Sequence, residues 1–81
     1  MAKAKNWDGA AYVFQQNIKA YPRNIWAMDY LGRVYIKAGK IDKAIATFEK
    51  GIKVSEKYGM GKIKYFKEKI AELKEKKKAK K

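Results

Sequence analysis

Apolar residues recur along this chain at intervals of three and four, in four separate blocks. They are Trp7, Ala10, Ala11, Phe14 and Ile18; then Met28, Leu31, Tyr35 and Ala38; then Ile41, Ala44, Ile45, Phe48 and Ile52; and last Ile63, Phe66, Ile70 and Leu73. Such spacing gathers each block on one side of an α-helix, and the alternation that marks strands is scarce. The predicted helices run from Trp7 to about Ala20, from Ile25 to Ala38, from Ile41 to Val54 and from Gly61 to Lys76. Asn6 and Asn24 are placed to cap the first two, because an Asn side chain accepts from an otherwise unpaired amide of the first turn. Tyr21-Pro22, Gly39 and Gly59 are the turn residues that separate the helices. The connections "YPRN", "GK" and "SEKYGMG" are short, so neighbouring helices lie antiparallel. The expected fold is all-α: an antiparallel hairpin array of four helices, with residues 1–5 a disordered N-terminus and 76–81 a lysine-rich tail.

One residue conflicts with this pattern. Gly32 falls in the middle of the second helix, where it costs about 1 kcal/mol against alanine. A close crossing of two helices would account for it, since a missing side chain lets backbones approach; Ala44 and Gly51 are the other small residues available. The alternative is a tolerated surface glycine.

Displacing the chain against itself by 34 residues aligns the first helix with the third. Asp8 then meets Asp42, Ala10 meets Ala44, Phe14 meets Phe48, Ile18 meets Ile52 and Lys19 meets Lys53. That is the period of the tetratricopeptide repeat, whose pattern is W-x2-L-G-x2-Y, then A-x3-F, then P. Met28-x2-Leu31-Gly32-x2-Tyr35 resembles the opening of that pattern, with Met in the Trp position, and Ala44-x3-Phe48 its continuation. Ala10-x3-Phe14 followed by Pro22 resembles the end of a preceding repeat, whereas Glu56 departs from the proline of the complete one. The chain thus resembles the tetratricopeptide-repeat family over about Asn6 to Glu56. The resemblance implies an α-solenoid fragment with its domain over 6–75: the second half of a repeat at 6–22, a full repeat at 23–56 and a capping helix at 60–75.

In this family the first helix of each repeat lines a groove that binds peptides. The resemblance therefore implies Trp26, Asp29, Arg33, Ile36 and Lys37 as groove residues; their spacing of three and four fits one face opposite the core stripe. The competing reading is an ordinary solvated face on which Asp29 and Arg33 pair with each other at i, i+4. The resemblance also implies that the first helix lacks its repeat partner. Trp7, Ala11, Phe14 and Ile18 would then be an uncovered apolar face, available to a partner protein or to a second copy in a homodimer, or buried by further repeats of a longer solenoid.

Charge adds a different possibility. The chain carries 21 Lys and Arg against 8 Asp and Glu, a net charge of +13, and residues 60–81 alone hold ten lysines and three glutamates. Clustered positive charge attracts polyanions, so Lys74, Lys76, Lys77, Lys78, Lys80 and Lys81 are candidate nucleic-acid contacts, with a solubilising tail as the plain alternative. A small basic nucleic-acid- or ribonucleoprotein-associated protein is the second functional reading. The chain has no histidine and no cysteine, which removes the commonest general base and metal ligands. No enzyme, cofactor or metal site is expected. No apolar run approaches the roughly 20 residues of a membrane span, and the absence of thiols fits a cytoplasmic protein. The first expectation is therefore a non-enzymatic scaffold that binds another protein or peptide.

Overall fold

The computed structural model describes residues 6–80, with side chains as far as Lys77; the expectation for residues 1–5 lies outside the described residues. Helix α1 covers Trp7–Ala20 and helix α2 Ile25–Lys37. Both start as their caps require: Asn6 Oδ1 accepts from the Gly9 amide at 2.9 Å and Asn24 Oδ1 from the Ala27 amide at 3.3 Å. Asn24 Nδ2 also donates to Asn17 Oδ1 at 2.8 Å, which pins the α1–α2 corner. Gly39, at a φ of +79°, supplies the left-handed turn that lets the Lys40 amide bond back to the Tyr35 carbonyl at 2.8 Å.

Helix α3 spans Ile41–Tyr58 and helix α4 Ile63–Lys80, and both differ from expectation. The stretch "SEK", assigned to a connection, is the last turn of α3. Ser55 there is buried, its hydroxyl donates to the Gly61 carbonyl at 3.1 Å, and the true stop is Gly59 at a φ of +65°. The described portion of the 76–81 segment likewise continues α4. Lys77 pairs across to Asp42 at the start of α3, so this turn is docked although its apolar stripe ends at Leu73.

The core forms where α3 lies between α2 and α4. Phe48 and Phe66 are fully buried, with ring centroids 5.6 Å apart. Each ring sits on a glycine of the preceding helix. A Cβ built on Gly32 would lie 2.6 Å from Phe48 Cε1, and one on Gly51 would lie 2.7 Å from Phe66 Cε2. Gly32 is therefore a close-packing glycine, and Gly51 does the same for the next helix pair. Around these rings pack Met28, Leu31, Tyr35, Ala44, Ile70 and Leu73.

The expected open face of α1 is largely closed within the chain. Ala11 and Ile18 are buried in the core, Trp7 is half-buried, and Phe14 stacks on Tyr30 of α2 at 5.8 Å. The stripe of α1 turns toward α2, as antiparallel packing demands. The residues left in water are on its other side, Tyr12 and Val13, which are 61% and 62% exposed.

Filling either glycine seat should be costly despite the better helix propensity of the new residue. Gly32→Leu and Gly51→Ala are each expected to lower stability by roughly 1–3 kcal/mol, because the ring must shift or its neighbours strain. Thermal melts by circular dichroism check this; a rise in melting temperature would show the seat to be open.

Candidate protein-binding face

On α2 a turn of 100° per residue separates two sets of side chains. Trp26, Tyr30, Arg33 and Lys37 point outward, and all four are exposed, Trp26 to 60%. Leu31 and Tyr35 lie on the opposite side, where an open cleft of about 600 Å³ separates α1 from α3. That cleft is bounded by Gln15, whose Nε2 donates to the Tyr35 hydroxyl at 2.6 Å; the clustered charges and rings lie on the outward side.

Asp29 flanks the outward set and is buried, only 3% exposed. An isolated carboxylate there would carry a desolvation cost of several kcal/mol, and three groups offset it. The Tyr65 hydroxyl of α4 donates to its Oδ1 at 2.8 Å, Arg33 Nε donates to the same oxygen at 3.3 Å, and Lys62 Nζ stands 3.6 Å from Oδ2. Arg33 Nη2 also donates to the Tyr65 oxygen at 3.3 Å. The phenol of Tyr65 holds its proton more tightly than usual, first through burial and then through its hydrogen bond to Asp29. Arg33 is held charged still more firmly than an ordinary guanidinium, through its hydrogen bond with Tyr65 and the Asp29 charge.

Lys62 precedes α4 and has a φ of +81°, the left-handed region, without being a glycine. Such a conformation costs of order 1–3 kcal/mol. It places the ammonium 4.3 Å from the ring centroid of Tyr65 and 4.7 Å from that of Trp26. Two aromatic faces and a carboxylate share this one cation, a combination favourable at partly desolvated sites. Arg33 lies over Tyr30 at 5.6 Å and Lys69 over Tyr65 at 5.9 Å. The result is a surface of alternating rings and cations across α2 and α4, with its carboxylate underneath.

A family profile for the tetratricopeptide repeat matches residues 1–57, well over half of the chain. The chain belongs to the tetratricopeptide-repeat family. No curated protein and no solved structure matches it. Tetratricopeptide repeats are typically non-catalytic protein-binding scaffolds, and among the described residues no helix is long and apolar enough to cross a membrane.

Within this tetratricopeptide array, the five groove residues expected from sequence do not share one environment. Trp26, Arg33 and Lys37 are exposed, Ile36 is half-buried against the core, and Asp29 is sealed between α2 and α4. Asp29 and Ile36 sit at the edge of the helical face, which α4 overhangs. Tyr30, Lys62, Tyr65 and Lys69 join the face unanticipated. The Trp26–Tyr30–Arg33–Lys37 spacing and the Lys62–Tyr65–Lys69 spacing were the available signals, one per helix, but nothing local says that the two rows adjoin. Of the lysines proposed for polyanion contact, Lys74 and Lys76 are exposed and Lys77 is paired with Asp42. The side chains of Lys78 and Lys80, and all of Lys81, lie outside the described residues.

The raised proton affinity of Tyr65 makes a signed prediction. A phenol that titrates higher in the folded than in the unfolded chain adds stability below the unfolded value of about 10, and that stability is lost as pH rises through the folded value. Tyr65→Phe should cost roughly 1–2 kcal/mol near neutral pH by taking a donor from Asp29. The gap between the two proteins in melting temperature should narrow above about pH 10. A gap that stays constant over that range would show that the hydroxyl is not bonded as described.

Proposed function

We propose that this tetratricopeptide-repeat chain is a non-enzymatic scaffold, working in the cytoplasm, whose α2–α4 face holds an acidic segment of a partner protein. The observation that carries the reading is the exposure of Trp26 among cations. A large aromatic left in water is the usual anchor of an interface; Lys62 Nζ lies 4.7 Å from its ring, Arg33 and Lys37 are exposed further along α2, and Lys69 lies over the neighbouring Tyr65. Asp29, beneath them, is screened from an incoming acidic chain by Arg33, Lys62 and Tyr65. An apolar side chain of the partner would rest on Trp26 and Tyr30 while carboxylates meet Arg33, Lys37 and Lys69. The net charge of +13 would speed the encounter and make it sensitive to salt.

The test uses a short peptide of alternating glutamate and leucine, its glutamine counterpart and a single-stranded RNA. Binding is followed by the fluorescence anisotropy of a dye carried by the peptide or the RNA, so that variants lacking Trp26 report as the parent chain does. The acidic peptide should bind and the glutamine one should not, and Trp26→Ala and Arg33→Ala should each weaken binding about tenfold, some 1.4 kcal/mol. RNA binding that displaces the peptide and survives Trp26→Ala would instead assign the function to the lysines of α4, including Lys74 and Lys76.

A further inference from the structure

A second surface lies on the far side of α1. Gly9, Tyr12, Val13, Gln16 and Ala20 recur there at intervals of three, one, three and four, and none is charged. Tyr12 and Val13 stand at its centre and are its most conspicuous feature, each more than half exposed. The core side of α1, through Ala11 and Ile18, is already spent on α2. The electrostatics of this helix are unlike those of the rest of the molecule. Residues 7–20 hold one acid and one base, Asp8 and Lys19, whereas residues 63–80 hold eight lysines and three glutamates.

The placement of those two charges decides what fits. Eleven residues are three turns of helix, and at 100° per residue they bring Asp8 and Lys19 to within about 20° of each other, along one edge of the Tyr12–Val13 stripe. They are at opposite ends of that edge and of opposite sign. When two identical helices pack antiparallel about a two-fold axis, like edges meet, and each end of one helix faces the other end of its mate. Asp8 of each copy would then meet Lys19 of the other, twice, with Tyr12 and Val13 near the axis. Asp8 is 88% exposed and its contact within the chain, Lys40 Nζ at 3.6 Å, leaves it open to a second cation.

We infer that the outer face of α1 is a self-association surface, on which two copies of this chain pack α1 against α1 in an antiparallel two-fold dimer. An acidic partner of the kind proposed for the α2–α4 face would find one cation on this helix, Lys19, with Lys40 already paired to Asp8 at one end and Lys50 across the cleft from Gln16 and Lys19. A basic partner would meet a molecule of net charge +13. A second copy is the occupant whose charges complement the stripe end to end, and this neutral side is the one by which two such cations approach with least repulsion. The exposed Asp8–Lys19 pairs set register and add little affinity, while burial of Tyr12 and Val13 supplies the attraction. One helix face is smaller than the roughly 800 Å² per partner of a standard interface, so the dimer is weak and rapidly exchanging. This face is distinct from the α2–α4 face, and the two readings stand or fall separately.

Sedimentation equilibrium of the full chain tests the inference. Mass should rise with concentration, more so in added salt, which screens the overall repulsion. Val13→Glu and Tyr12→Glu change exposed residues, so melting by circular dichroism should be preserved while dimer dissociation constants rise at least tenfold. Asp8→Lys and Lys19→Asp should each weaken self-association, and an equimolar mixture of these two variants should restore it as a heterodimer. A chain that stays monomeric at about 1 mM would overturn the proposal and leave the face to another protein or a preceding helix. So would undiminished association of Val13→Glu, and a mixture of the charge variants that fails to associate would overturn the antiparallel register.

Discussion

The contact on which the rest of this structure depends is a phenyl ring lying on bare backbone. Phe48 of α3 rests on Gly32 of α2, and Phe66 of α4 rests on Gly51 of α3. Each ring fills the space a side chain would need, so the separation of each helix pair is fixed by one glycine and one phenylalanine. The two rings also meet each other at 5.6 Å, which ties the α2–α3 crossing to the α3–α4 crossing. A helix loses about 1 kcal/mol by holding a glycine inside; burying a phenylalanine side chain returns roughly 1.5–3 kcal/mol. In a chain this short, with no disulfide, that margin matters.

The seats also set up the face proposed for binding. Because α3 holds α2 and α4 at fixed spacing, the outward rows of those two helices come close enough for Tyr65 to reach Asp29. A buried carboxylate gives little net stability; here it orients, drawing Arg33, Lys62 and Tyr65 to defined positions. The same corner carries the left-handed backbone of Lys62. It turns the chain into α4 while leaving the ammonium between Trp26 and Tyr65. Rings and cations held by their neighbours lose less freedom on binding than free side chains do, which is what preorganisation contributes to recognition.

Much of this was legible in the sequence because it depends on local spacing. The four stripes, the Asn6 and Asn24 caps, the Gly39 stop and the packing role of Gly32 each follow from residues a few positions apart. The 34-residue period, found by aligning the chain with itself, led to the tetratricopeptide resemblance. The features that local spacing misplaces depend on contacts across helices. Ser55 looked like a linker residue because serine is polar, yet at the α3–α4 corner a small side chain that can reach a carbonyl fits the burial. Asp29 looked like a surface partner of Arg33, since the i, i+4 spacing is visible and Tyr65, 36 residues away, is not. Ala11 and Ile18 were assigned to an open face because the resemblance implied a missing repeat partner, while the covering power of α2 is not visible in local spacing.

The most direct measurement is a double-mutant cycle between the two sides of one seat. Gly32→Ala, Phe48→Leu and the double variant would be compared by chemical denaturation. If the ring occupies the glycine, trimming it makes room, and the alanine penalty should shrink by about 1 kcal/mol or more in the Phe48→Leu background. If the two changes simply add to within about 0.5 kcal/mol, as independent sites do, Phe48 does not rest on Gly32 and the spacing of the array has another cause.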